Sequence, residues 1–174
     1  IQNSAFAKCS SLEKVEIPQS VSFIGNSAFE GCSSLTEVNL PSSLKEIKEK
    51  VFYNCKSITK ITLPSSLNEI GDFSLCGLSL VKEIDLPSSL TRIGANAFDR
   101  CFLLEKIIIP SSVKSIGNYA FSECKSLKQV DIPSSVTLIG GFAFYNCSSL
   151  KEITIPSNVT KIKEYTFYGC SSLT

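Results

Sequence analysis

The stretch Leu104-x-x-Ile107-x-Ile109-Pro110-Ser111-Ser112-Val113-x-x-Ile116-Gly117-x-x-Ala120-Phe121-x-x-Cys124 decides the reading, because its apolar marks recur at intervals of 23 residues along the chain. Phe6, Phe29, Phe52, Phe98, Phe121, Phe144 and Phe167 stand on this lattice, with Leu75 in place of Phe once. Seven of the eight cysteines follow it too, at Cys9, Cys32, Cys55, Cys101, Cys124, Cys147 and Cys170. All seven prolines, from Pro18 to Pro156, occupy one column. A fixed period of about 20 to 50 residues signals stacked supersecondary units, none of which can bury its apolar side without neighbours. The chain is expected to be a solenoid.

Within each unit, Val15-x-Ile17, Val38-x-Leu40, Ile61-x-Leu63 and their equivalents alternate with period two, as half-buried strands do. Repetition makes these strands parallel, and at roughly 4.8 Å apart seven of them span on the order of 35 Å. Proline ends the pairing by removing an amide donor and fixing φ, and the serine after it is a turn former. The rest of the unit, Val-x-x-Ile-Gly-x-x-Ala-Phe-x-x-Cys, is too short for a long helix. It is expected to be a brief extended segment and then a 3₁₀ or single α turn on the convex side. The bulk of Phe in that layer would curve the sheet inward.

Composition removes several classes of function. With 174 residues and 43% of them hydrophobic, the chain has enough apolar side chains for a substantial core. A net charge of +1 lacks the basic footprint that nucleic acid or an anionic membrane requires. The absence of His excludes Ser-His-Asp and Cys-His catalysis and imidazole-ligated metal. No apolar run approaches the ~18 residues of a membrane span. An enzyme would need paired carboxylates or a Lys nucleophile, yet Glu and Asp fall on spaced exposed columns; no catalytic residue, cofactor or metal site is expected.

The cysteine column admits three readings: a buried row of small hydrophobes, disulfides, or zinc ligands. Stacked thiols with parallel Cβ vectors do not face one another as a disulfide needs, and a straight row cannot converge tetrahedrally on zinc. The buried row is preferred. In the fourth unit, Gly71-Asp72-Phe73-Ser74-Leu75-Cys76-Gly77-Leu78, two registers compete. Either Leu75 and Leu78 take the Phe and Cys places, or Phe73 and Cys76 do so two residues early. Constant unit length favours the first, leaving Phe73 and Cys76 nearer the surface, with Cys76 the fast-reacting thiol.

This pattern resembles a leucine-rich repeat, specifically the 23-residue type of the BspA-like family found in bacteria and in parasitic protists such as trichomonads. The likeness covers essentially the whole chain. It implies an α/β-type repeat solenoid over residues 1–174, a horseshoe or arc with a parallel concave sheet. About seven and a half repeats are present, read as a piece of a longer array whose apolar ends call for further units or head-to-tail self-association. Where leucine-rich repeats usually carry an inward Asn, this chain has Ser20, Ser43, Ser66, Ser89, Ser112 and Ser135, with Asn158 in the last copy. A hydroxyl can supply the same inward hydrogen-bonding ladder. The resemblance implies a cell-surface or extracellular module that binds host matrix or microbial proteins; an intracellular scaffold or effector is the alternative, and free thiols suit it better.

Two surfaces are candidates for that contact. One exposed strand column runs Lys14, Glu37, Lys60, Glu83, Lys106, Gln129, Glu152, alternating in sign and self-compensating. The other runs Glu16, Asn39, Thr62, Asp85, Ile108, Asp131, Thr154. There Ile108 interrupts two acids, and with Lys106 beside it the group Asp85, Lys106, Ile108 and Asp131 is the candidate binding site. The second surface is an aromatic flank of Tyr119, Phe142 and Tyr165 before the repeating Phe and Tyr145 and Tyr168 after it, which on a solenoid can equally pack on the next turn. Asn146-Cys147-Ser148 and Asn158-Val159-Thr160 match the N-glycosylation pattern.

Overall fold

The computed structural model describes residues 1–174. It is a parallel β-solenoid in which each 23-residue unit makes one coil and lies in register on the next. The strands, in chain order, are β1 (Glu37–Asn39), β2 (Glu46–Ile47), β3 (Lys60–Thr62), β4 (Glu69–Ile70), β5 (Arg92–Ile93), β6 (Lys106–Ile108), β7 (Ser115–Ile116), β8 (Gln129–Asp131), β9 (Leu138–Ile139) and β10 (Glu152–Ile153). The alternating segments form the front sheet, the one read above as concave, in two pieces: β1-β3 and β6-β8-β10. The brief extended segments pair continuously as a rear sheet, β2-β4-β5-β7-β9. Every pairing is parallel with a register of 23 residues, for example Lys106 opposite Gln129 and Ile116 opposite Ile139.

Proline acts as expected. In all seven copies its carbonyl accepts the amide three residues on, from Val21 onto Pro18 to Val159 onto Pro156, closing the corner between front and rear strands. The serine column is the inward ladder: the hydroxyls of Ser43, Ser66, Ser89, Ser112 and Ser135 each donate to a carbonyl of the preceding coil at 2.5–3.0 Å. Asn158 Nδ2 continues it onto Ser134 O.

The third side departs from the expected 3₁₀ or α turn, and no helix of either kind forms. Two residues per coil hold φ near +55° or above: the column Ser4, Ser27, Lys50, Phe73, Asn96, Tyr119, Phe142, Tyr165 and the column Lys8, Gly31, Asn54, Gly77, Arg100, Glu123, Asn146, Gly169. A left-handed residue breaks any right-handed helical run and reverses the direction of its peptide plane. Amides therefore alternate in use. Those of Ala5, Ala7 and Cys9 close turns within their own coil, whereas those of Ser4, Phe6 and Lys8 donate to Asn26, Ala28 and Glu30 of the next coil. The same three cross-bonds, 2.6–3.0 Å long, recur at every one of the seven junctions. With three such bonds at each of seven junctions, the turn side is a third ladder beside the two sheets.

One apolar core runs continuously from Ile17 to Cys170 between the three sides. The lattice phenylalanines stack face to face at 5.2–5.6 Å as Phe6–Phe29–Phe52 and Phe98–Phe121–Phe144–Phe167, interrupted by Leu75. Glycine before the aromatic segment has a steric cause: a Cβ on Gly117 would stand 2.5 Å from the Ala95 amide nitrogen. Phe121 is fully buried between the rings of Phe98 and Phe144. Phe121→Ala is expected to lower stability by roughly 3–5 kcal/mol and, since each coil touches only its neighbours, to split the denaturation curve. Equilibrium denaturation measures both; a loss below about 1 kcal/mol, ordinary for a surface position, would remove the Phe column from the core.

Candidate functional site

Strands β6 and β8 bring three of the four candidate residues of the front sheet side by side. Ile108 stands opposite Asp131, and Lys106 is bracketed by Glu83 on one side and Gln129 on the other. Period two turns Ile107 into the core and leaves Ile108 outside, where it is 57% exposed, the largest exposure of any Ile or Leu. Asp85, Lys106 and Ile108 line a hollow of about 480 Å³ with Glu83, Ile84, Leu86, Ser88 and Pro110. Asp131 lies outside that hollow and accepts a hydrogen bond from Gln129 Nε2 at 3.1 Å.

The charges around this hollow are uncommitted. Register sets Lys14, Glu37, Lys60 and then Glu83, Lys106 in alternating sign as expected, yet none closes into an ion pair, and neither do Asp85 and Asp131. Compensation in this column is a matter of proximity rather than contact. Ion pairs form one column away, as between Lys128 and Glu105 at 2.7 Å, a contact that lowers the Glu105 carboxyl from its ordinary value. A second hollow, about 580 Å³, opens beside the first between β3 and residues 80–85 and shares Glu83 and Asp85 with it. Neither hollow is legible in the residue pattern.

The aromatic flank forms two files. Tyr119, Phe142 and Tyr165 stack at 4.5 and 4.9 Å, and Tyr145 and Tyr168 at 5.3 Å. They pack on neighbouring coils while keeping exposed edges, and Tyr165 and Tyr168 remain more than half exposed. Tyr119, Phe142 and Tyr165 belong to the first left-handed column, so three bulky side chains occupy a conformation that L-residues seldom adopt.

The thiols need one correction. Leu75 and Leu78 are buried on the Phe and Cys places of the fourth unit, as unit length implied, but Cys76 is 2% exposed rather than near the surface. It belongs to the half-buried column Glu30, Tyr53, Cys76, Asp99, Ser122, Tyr145, where a short side chain between Tyr53 and Asp99 is covered; its Sγ lies 3.7 Å from Asp99 Oδ2. The exposed thiol is Cys9. All eight are free, and six lattice thiols donate to a carbonyl of the preceding coil, as Cys124 Sγ does to Phe98 O at 3.2 Å and Cys55 Sγ to Phe29 O at 3.0 Å. That use requires the protonated form. Burial pushes the Cys55 and Cys76 thiols up to about 12 and raises Cys101, Cys124 and Cys147 as well. A thiol so held is a poor nucleophile.

Two outcomes follow for the thiols. Brief alkylation of the folded protein, mapped by mass spectrometry, should label Cys9 first; labelling of Cys76 ahead of it would contradict the buried placement. The second concerns pH. The unfolded chain gives up these protons near the ordinary value of 9.0, whereas the folded chain keeps those of Cys55 and Cys76 to about 12. Unfolding therefore releases protons in that window, and stability present below pH 9 should be lost as pH rises towards about 12. Denaturation midpoints below pH 9 and at about pH 11 check the sign.

Comparison with known proteins places this geometry. The family model described as BspA type leucine rich repeat region matches the chain in six copies across residues 1–104 and 91–174. A leucine-rich repeat protein of T. pallidum is similar in structure, with a TM-score of 0.80 and 32% identity over 86% of this chain and 70% of that one. A leucine-rich repeat protein from Bacteroides ovatus is similar at TM-score 0.68 and 26% identity, over 99% of this chain and 57% of that one. A protein from Faecalibacterium prausnitzii described as a leucine rich cell surface protein reaches 0.65 and 25%, over 99% and 61%. The chain thus spans less than two thirds of the length of these last two. Comparison with curated proteins returned no significant match.

Proposed function

This chain belongs to the BspA-type leucine-rich repeat family, and from that premise we propose that it is a non-enzymatic protein-binding scaffold acting at the cell surface or outside the cell. Its partner is an extracellular matrix protein or a protein of another cell's surface, held on the concave front sheet by Asp85, Lys106, Ile108 and Asp131. The observation that carries the reading is Ile108, an exposed apolar side chain on the rim of a hollow shared with the uncommitted charges of Asp85 and Lys106. An apolar anchor inside a polar rim is the usual composition of a protein contact. The F. prausnitzii relative, described as a cell surface protein, supports the location. An intracellular scaffold or effector is the second reading; the eight free thiols favour it, because a reducing compartment keeps thiols in that state.

The test is the double variant Ile108→Lys, Asp131→Lys, with folding confirmed by circular dichroism and binding measured to extracellular matrix proteins and to whole cells. Removing a central anchor and reversing a rim charge should weaken binding by roughly tenfold or more. Added salt should weaken the wild-type contact too, if the acids steer the partner. Undiminished binding by the folded variant would transfer the site to Tyr119, Phe142, Tyr145, Tyr165 and Tyr168.

A further inference from the structure

At one junction of the solenoid, three columns fail together. Leu75 breaks the ring stack between Phe52 and Phe98. Leu78 stands where a cysteine would donate a thiol to Phe52 O, the bond its counterparts make at six other junctions. On the front sheet, the amides of Thr36, Thr59, Glu105, Lys128, Lys151 and Thr174 each donate to the coil before, and that of Lys82 alone does not. The front sheet consequently divides between β3 and residues 83–85, and the larger hollow opens along the division. Ser74, next to Leu75, buries the one side-chain hydroxyl in the molecule with no hydrogen-bond partner.

The rear of the same junction is tied more strongly than elsewhere. The rear sheet passes through it unbroken, with Glu69 opposite Arg92 and Ile70 opposite Ile93. Arg92 forms an ion pair with Glu69 across it and reaches Asp72 at 3.1 Å. The Ser89 hydroxyl contacts two carbonyls of the preceding coil, Leu67 O and Ser65 O, where the serines of other coils contact one. The three turn bonds are also intact.

We propose that this junction is a hinge. The two halves of the solenoid swing about the continuous rear sheet between β4 and β5, and the front face opens and closes between Thr59–Thr62 and Lys82–Asp85. At the junctions on either side, front, rear and turn ladders all resist such bending; here the rear and turn ladders resist and the front does not. The hinge stands apart from the binding proposal: it needs no partner, and it would exist if the front face bound nothing.

Hydrogen exchange on the whole 174-residue chain tests it. The informative amide is Val81, which bonds inside its own turn to Leu78 O, as Ile58 does to Cys55 O and Leu104 to Cys101 O. A rigid junction with one bond missing would expose Lys82 and leave Val81 as slow as those counterparts. A hinge makes Val81 exchange faster than Ile58 and Leu104, after correction for intrinsic rates, by roughly the tenfold that one hydrogen bond is worth. The repaired chain Leu75→Phe, Leu78→Cys should abolish the difference. Should the larger ring prevent folding, Leu78→Cys with Ser74→Ala restores the thiol bond and removes the orphan hydroxyl, and should narrow it. Equal protection of Val81, Ile58 and Leu104 in the unaltered chain overturns the hinge, and so does a difference that survives both repairs.

Discussion

Everything in this molecule depends on the reversal of peptide direction at two left-handed residues per coil. A right-handed turn spends its amides on its own carbonyls and offers none to a neighbour. By placing φ near +55° at Tyr119 and again at Glu123, the chain sends the amides of Tyr119, Phe121 and Glu123 outward to the next coil while those between them close local turns. The third side of the coil thereby becomes a hydrogen-bonded ladder like the two sheets. The cost is about 1–2 kcal/mol for each non-glycine residue so held, and it is offset by cross-coil bonds that leave few buried backbone groups orphaned.

Once all three sides pair in register, each residue faces its own equivalent, and side-chain chemistry is chosen by column. Phenylalanine stacks on phenylalanine and serine donates to the carbonyl beneath it. Cysteine answers a specific demand in the turn column: a group small and apolar enough for full burial that still carries a donor for the Phe carbonyl of the preceding coil. Alanine would leave that carbonyl with one partner fewer, and serine would bring a hydroxyl that is more costly to bury. All eight cysteines are free, and six of them continue the backbone ladder by other means.

Much of this was legible in the residues. Alternation in Ile107-x-Ile109 gave the front strands, Pro110 gave the corner, Ser112 gave the ladder, and constant unit length settled which leucines take the Phe and Cys places in the fourth copy. The turn conformation was not legible, because the left-handed columns carry Ser, Lys, Phe and Tyr as well as Gly and Asn. The run Gly31, Asn54, Gly77, Asn146, Gly169 was the signal that could have found one of them. Cys76 was misplaced because the period says which column a residue occupies and not how tall its neighbours are. Of the candidate site, Ile108 could be read as exposed from period two alone. The hollows beside it could not; the larger follows the division of the front sheet at Lys82, which no residue type announces.

The register of 23 also acts as a ruler on how such a gene can change. Duplicating or excising a whole coil leaves each column in register, Phe on its column and Ser over a carbonyl, so the cut ends rejoin without a misfit. Losing a single codon sets Ser122 or Tyr145 against a ring and shifts all later columns at once. A chain of this kind lengthens and shortens in whole coils, and the breadth of its faces is adjusted in steps of one strand spacing, about 4.8 Å.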